Sequence, residues 1–372
     1  MAARAENYIK GVLNETADIE VGGNRPWDIE VHDKRTYGRV LTRGTLGLGE
    51  SYMDGWWDAQ NIDQFIYRLL ISDIKARIPV DFALWGSMAK AAFLNLQRLR
   101  IFEVAEKHYD AGNDLYRAML DKHLAYSCGY WPRAENLDQA QEHKFDLICR
   151  KAGLQKGMRI LDIGSGWGGF LKYAAENYGV EGVGVTISKE QYKLSRELCA
   201  GLPIDIRLED YQALEGQFDR IISIGMFEHV GYKNYRSYMQ KVHDLLADDG
   251  LFVLHTIGGN HTVNHGDPWS EKYIFPNGML PSQKQLASAS EGLFVMEDWH
   301  NFGADYDRTL MQWHANFEAA WPKLAPHYNE RFYRMWRYYL LSFAATFRAR
   351  KIQLWQVVYS KQGVAGGYQS VR

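Results

Sequence analysis

From about residue 157 onward the sequence alternates between short apolar runs and helical patterns, and this alternation constrains the fold more than any other feature. The runs are RILDI (159–163), EGVGV (181–185), IDIRL (204–208), FDRIISI (218–224) and GLFVLHT (250–256). Helical patterns such as SKEQYKLSRELCA (188–200) and NYRSYMQKVHDLLADD (234–249) separate most of them. Strands alternating with helices predict a mostly parallel, doubly wound α/β sheet covered on both faces. Sheets of that kind take ligands beyond the carboxyl ends of their strands. Binding residues are therefore expected just after the apolar runs.

The first run leads into LDIGSGWGGF (161–170). Gly164, Gly166 and Gly168, with Ser165 between the first two, predict a tight turn that brings backbone close to a ligand ahead of a helix. By spacing alone this fits a packing turn or a dinucleotide loop equally well. Its surroundings narrow the choice. Asp162 precedes the turn, where a carboxylate suits an amino group better than a pyrophosphate. The second strand ends in VTISKEQ, where Thr186, Ile187 and Gln191 offer a hydroxyl and an amide rather than an arginine pocket for phosphate. The third ends in LEDYQ, with Asp210 placed to accept from an adenine amino group and Tyr211 beside it. This constellation resembles a class I S-adenosylmethionine methyltransferase (Rossmann-like) more than a nicotinamide enzyme. A carboxylate capping the following turn is the alternative for Asp162.

Bulk properties exclude several other classes. The 372 residues suffice for two domains, and 46% hydrophobic with 24% charged residues is the balance of a soluble globular protein. A formal net charge of −2 gives no field that argues for nucleic acid. Cys128, Cys149 and Cys199 are few, scattered and odd in number, and show no metal-ligand spacing, so a reducing cytoplasm is expected rather than a disulfide scaffold. The first twenty residues lack the apolar region of a signal peptide, and no run approaches the roughly 20 apolar residues of a membrane span. Before the sheet, RGTLGLGESYMDGWW (43–57) reads as Gly-rich turns and FALWGSMAKAAFLNLQRLRIF (82–102) as a helix. The Asp, Gly and Asn of KHYDAGNDLY (107–116) mark a break. The expected division is a small, mainly helical N-terminal domain at 1–103 that associates with lipid, and a catalytic domain at 104–372.

Several longer motifs carry a closer resemblance: LGLGESYMDGWW, HYDAGNDLY, YSCGYW, VGVTIS, MFEHVG, YIFPNG, HNFGADYD and IQLWQVVYS. Over nearly the whole chain these resemble the cyclopropane-fatty-acyl-phospholipid synthase family and the related mycolic-acid cyclopropane synthases. Ser165 departs from the cysteine usual at that position. The resemblance implies an S-adenosylmethionine-dependent enzyme that adds a methylene carbon to a cis double bond of an acyl chain in a membrane phospholipid. It further implies that Tyr126 and Ser127 contact the cofactor, and that Cys128, Glu228, His255, Ile257 and Tyr306 hold a bicarbonate ion. Read alone, Cys128 fits a buried core thiol; with the resemblance it becomes a pocket thiol rather than a nucleophile.

The chemistry suits that set. An isolated alkene has no proton to remove first, so an enzyme aligns it with the sulfonium methyl and excludes competing nucleophiles. Methyl transfer leaves a cation, and a small, weakly nucleophilic base closes the ring without trapping it. Tyr130, Trp131, Tyr273, Phe275 and Trp299 are candidates to face such a cation, or simply to fill core. Peripheral contact with the inner face of the cytoplasmic membrane is implied, through 82–102 or through the arginine-rich stretch 331–351, unless the latter packs on its own domain. A homodimer is compatible with the resemblance. A related lipid C-methyltransferase giving a methyl-branched or methylene product is the alternative activity.

Overall fold

The computed structural model describes residues 2–72, 74 and 113–372. The stretch 82–102 and the expected boundary at 103/104 lie outside the described residues. The chain forms two compact units.

The first unit joins the N-terminal residues to Asn264–Pro276 and Leu310–Ile352. Two later segments of chain thus pack with the N-terminal helices, an arrangement that a single cut does not convey. Helices Ala2–Ala17, Arg35–Met53 and Ile62–Ile71 accompany a two-stranded ribbon, β1 (Glu30–Val31) antiparallel to β2 (Trp57–Asp58). The Gly-rich stretch expected to form turns is mostly helix, broken only at Gly44 with φ 53° and ψ −129°. Its glycines serve close approach instead. A Cβ on Gly49 would lie 2.4 Å from the Trp269 indole, and one on Gly47 would lie 2.3 Å from the Arg39 carbonyl oxygen. Trp269 packs edge-on to Tyr338 (4.7 Å between centroids), and Trp57 lies against Phe65 (5.1 Å).

The arginine-rich stretch forms helix Glu330–Arg348. Its cations meet carboxylates of the same unit: Arg331 with Asp54 at 3.0 Å, Arg334 with Asp58 at 2.8 Å and Arg348 with Asp63 at 2.7 Å. This pairing favours a helix packed on its own unit over a basic face awaiting lipid.

The second unit holds the expected α/β sheet. Its strands are β3 (Arg159–Ile163), β4 (Glu181–Thr186), β5 (Ile204–Leu208), β6 (Phe218–Ile224), β7 (Leu246–Gly259), β8 (Val295–Asn301) and β9 (Ile352–Ser360), in spatial order β5-β4-β3-β6-β7-β9-β8. The first five are parallel, and β8 runs antiparallel to β9. Side chains alternate between two cores, as the period of two demands. Leu161 and Ile221 pack with Tyr238, Met239 and Val242, whereas the adjacent Ile160 and Ile222 pack with Phe145, Ile148 and Leu171. Burying Leu246 beside Phe218 ends the preceding helix at Leu245, so residues expected to continue it instead open β7. β3 lies between β4 and β6, and the connections lead away from it on both sides. That is the switch point where such sheets open a crevice.

Because the indole already touches the Gly49 backbone, Gly49→Val is expected to destabilise the helical unit by about 1–3 kcal/mol. Thermal unfolding followed by tryptophan fluorescence measures the loss.

Candidate active site

The chain leaves β3 through a turn whose backbone favours glycine at three positions. Gly164, Gly166 and Gly168 have φ of 81°, 55° and 83°, in the left-handed region that side chains disfavour. The Gly164 and Ser165 amides both donate to the Val185 carbonyl of β4 at 3.0 Å, tying the turn to the neighbouring strand. A Cβ on Gly164 would meet Met226 at 2.8 Å, and one on Gly169 would meet the His123 carbonyl oxygen at 2.1 Å. At Gly166 nothing lies within 4 Å, so that position faces open space.

The open space is a cavity of about 190 Å³. Tyr126, Ser127, Asp162, Gly164, Ser165, Gly166, Thr186, Ile187, Gln191, Asp210 and Tyr211 all line it, so every residue expected to contact the cofactor borders one space. Thr186 donates its hydroxyl to Gln191 Oε1 at 2.8 Å, and Asp210 accepts from the Gln212 amide at 2.9 Å. Asp162 is buried and its Oδ1 has no hydrogen-bond partner. Burial raises its carboxyl to about 7, against the pull of the Lys144 charge.

The residues expected to hold an ion stand on segments next to those that line the cavity. Ser127 lines the cavity and Cys128 follows it; Met226 and His229 line it and Glu228 stands between them. Cys128, Glu228, His255, Ile257 and Tyr306 do not line the cavity themselves. The turn Phe227–His229 after β6 aims Glu228 at β7, where its Oε1 accepts from the Ile257 amide at 2.7 Å. Glu228 Oε2 is buried with no partner, and burial raises the carboxyl to about 7 although bonds from Ile257 and Thr256 oppose the shift.

His255 is buried on β7, and desolvation pushes its pKa well below the ordinary value, so the ring is neutral. Its Nδ1 lies 3.2 Å from the Gln356 amide nitrogen on β9, while its Nε2 has no partner. With the amide donating to Nδ1, the ring hydrogen sits on Nε2 and is available to a ligand.

Cys128 is fully buried and hydrogen-bonds to its neighbour's carbonyl, Gly129 O, at 3.2 Å. Burial raises its pKa well above the ordinary thiol value, so it is a thiol rather than a thiolate. The Thr309 hydroxyl lies 4.0 Å from its sulfur and accepts from the Gly129 amide (3.1 Å) and the Trp131 indole (2.9 Å). These bonds fasten the loop to the helix beginning at Ala304, on which Tyr306 stands one turn before Thr309. Phe302, just ahead of that helix, packs 5.9 Å from the His255 ring.

Three contributors escaped the sequence reading: Lys144, Gln356 and Thr309. Lys144 is fully buried, lines the cavity and donates to Ser127 Oγ at 2.8 Å. The signal lay in helical spacing, since Lys144 falls on the stripe of Leu137, Ala140, Ile148 and Lys151 that the helix buries. Of the aromatic candidates, Tyr130, Trp131, Tyr273, Phe275 and Trp299, none lines the cavity. Trp299 packs on Trp355 and Phe275 on Tyr339, which is core filling.

A sequence profile described as "Mycolic acid cyclopropane synthetase" matches residues 97–357. The cyclopropane-fatty-acyl-phospholipid synthase of Escherichia coli (strain K12) is 52% identical over 365 residues, 98% of this chain and 95% of that protein. The chain belongs to the cyclopropane-fatty-acyl-phospholipid synthase family. It is accordingly an S-adenosylmethionine-dependent methyltransferase. A probable fatty acid methyltransferase of Pseudomonas putida is 38% identical over 272 residues, 70% of this chain and 69% of that one. Among solved structures, the mycolic acid cyclopropane synthase CmaA1 complexed with SAH and CTAB is similar, with a TM-score of 0.66 and 33% identity. The match covers 70% of this chain and 98% of that one. The class I methyltransferase fold expected from the sequence is the fold of this family.

Gly166→Val forces a β-branched residue to positive φ and projects it into the cavity, so S-adenosylmethionine affinity is expected to fall at least about tenfold. Titration calorimetry reads the change directly.

The buried Glu228 carboxyl gives a pH signature. It keeps its proton to about 7 in the folded chain, against 4.5 ordinarily. Between those values the folded state binds more protons than the unfolded one, so this group's contribution to stability is lost as pH rises. Relative to wild type, Glu228→Gln is therefore expected to gain stability from pH 4.5 to 7, by about 3 kcal/mol at most. Urea unfolding of both proteins across that range measures the difference.

Proposed function

We propose that this methyltransferase is a cyclopropane-fatty-acyl-phospholipid synthase, and that Cys128, Glu228, His255, Ile257 and Tyr306 hold a bicarbonate ion beside its cofactor cavity. One observation carries the reading. A buried donor, His255 Nε2, and a buried acceptor, Glu228 Oε2, stand without partners next to the segments that line the cavity. Buried polar atoms without partners are costly, and a small ion that both accepts and donates would satisfy them together.

Each residue has a part that its surroundings support. Neutral His255, its tautomer set by Gln356, donates through Nε2. Glu228 is held by the Ile257 amide and turns its second oxygen to the hydroxyl of the ion. Cys128 remains a neutral thiol, a weak donor that does not attack a cation. Tyr306, on the helix fastened to the Cys128 loop, donates its hydroxyl. Bicarbonate, when bound, supplies a weakly nucleophilic base that takes the proton lost at ring closure.

The substrate is a cis-unsaturated acyl chain of a membrane phospholipid. A cytoplasmic enzyme would meet it peripherally, at the inner face of the cytoplasmic membrane, as a monomer or a homodimer. Among the described residues no helix is long and apolar enough to cross a membrane.

Incubation with vesicles of unsaturated phospholipid and S-adenosylmethionine, followed by mass spectrometry and NMR of the released acyl chains, is expected to give a ring. A methyl branch or an exocyclic methylene would assign the enzyme to the fatty acid methyltransferases instead. In carbonate-stripped buffer, turnover should fall while cofactor affinity holds, and added bicarbonate should restore the rate. Cys128→Ser exchanges one weak donor for a better one and should keep turnover within about tenfold of wild type. Cys128→Phe should do far worse. Turnover indifferent to carbonate would make Glu228 or His255 the base.

A further inference from the structure

Lys144 and Asp162 form a pair of buried charges that the protein does not itself complete. Lys144 rises from helix Leu137–Lys151 into the cavity with its side chain fully buried. An ammonium carries three donors, yet its hydrogen bond to Ser127 Oγ at 2.8 Å is the one it makes among the described residues, and no carboxylate there forms an ion pair with it. Asp121, whose charge reaches Lys144, accepts at Oδ1 from the Ala125 amide (2.9 Å) and at Oδ2 from the His123 amide (2.8 Å), and makes no hydrogen bond to the ammonium. On the opposite side of the account stands Asp162, at the end of β3 and lining the same cavity, with Oδ1 buried and partnerless. A buried charge is tolerated only when a partner of opposite sign and its hydrogen bonds complete it.

We propose that Lys144 binds the carboxylate at the amino-acid end of S-adenosylmethionine, sharing the cavity with Asp162, the carboxylate already expected to meet an amino group. A zwitterion is the ligand that completes both groups at once, and the cofactor carries one. The Gly166 side of the turn leaves the space such a group needs, because nothing lies within 4 Å of where its Cβ would be. The charges of the cavity agree: burial lowers Lys144 to about 8 and raises Asp162 to about 7, shifts that a bound counter-charge would oppose. Lys144 is then a residue that selects and orients the cofactor. Its bond to Ser127 links the carboxylate end of the cavity to the loop that continues into Cys128.

This inference rests on the chain being an S-adenosylmethionine-dependent methyltransferase, and the test separates the two. Affinities of the full chain are measured by calorimetry for S-adenosylhomocysteine, its decarboxylated analogue and 5′-methylthioadenosine, which lacks the whole amino-acid end. Wild type should bind the decarboxylated analogue about 30-fold more weakly than S-adenosylhomocysteine, the size expected for a charge-assisted hydrogen bond. Lys144→Met should lose about the same factor for S-adenosylhomocysteine and change by less than about twofold for the two ligands without a carboxylate. Asp162→Asn should weaken the two ligands that carry the amine and spare 5′-methylthioadenosine. Equal affinity of wild type for the first two ligands would overturn the assignment whether or not the variants fold. So would a Lys144→Met variant that weakens all three alike, since that is the mark of a structural lysine. Failure of wild type to bind any of the three would defeat the methyltransferase assignment itself.

Discussion

Two amide hydrogens, from Gly164 and Ser165, converge on the Val185 carbonyl and fold the chain back over the end of β3. The cavity exists because of that convergence. It holds the turn in a left-handed path, and the glycines let Met226 from the far side of β3 and His123 from the preceding loop approach within contact of the backbone. Residues from β3, β4, β5 and β6 then border a single space although they are distant in sequence. The turn is local, but it sets where four strand ends can place their side chains.

Helix Leu137–Lys151 shows how one element can serve stability at one turn and chemistry at another. It buries two lysines on the same stripe. Lys151 lies 3.1 Å from His300 Nδ1 and 3.6 Å from Asp298, whose carboxylate is also gripped by Arg372 at 2.6 Å. That cluster closes on itself and ties the C-terminal residues to β8. Lys144, two turns earlier, makes a single bond and faces the cavity. Burial lowers both ammonium groups, to about 7 and about 8, so the shift does not tell them apart. Partners do. A buried charge that the protein completes is architecture, and one that it leaves open waits for a ligand.

What the sequence made legible follows from which forces act locally. β3 and β6 begin and end at the residues that the apolar runs mark, because an inner strand covered on both faces must be largely apolar. Most of the expected residues that line the cavity were legible because the glycine turn and the strand ends fix them by position, whereas Tyr126 and Ser127 came from the family resemblance. The helix Arg35–Met53 was not: its glycines look like turn residues, and only Trp269, more than two hundred residues later, explains Gly49. Lys144 was hidden for a related reason. A lysine in a charged helical segment reads as solvated unless the burial of its whole stripe is known. Gln356 sits in an apolar strand, and its meaning depends on a histidine one hundred and one residues away.

The cofactor cavity and the proposed bicarbonate site carry opposite electrostatic logic. In the cavity, groups of opposite sign are left incomplete, which suits a ligand that brings both charges. In the proposed bicarbonate set the groups are neutral or held near neutrality: a thiol kept protonated by burial, an uncharged imidazole, and a carboxyl that titrates near 7. A permanent anion at that place would collapse onto a cationic intermediate and attack it, whereas a fixed cation would repel it. Weak dipoles holding the proposed bicarbonate would avoid both outcomes. Ser127 and Cys128 are adjacent in the chain, and the first faces a lysine in the polar cavity while the second is buried against Thr309. One peptide bond therefore marks the border between where charge is recognised and where it must be kept weak.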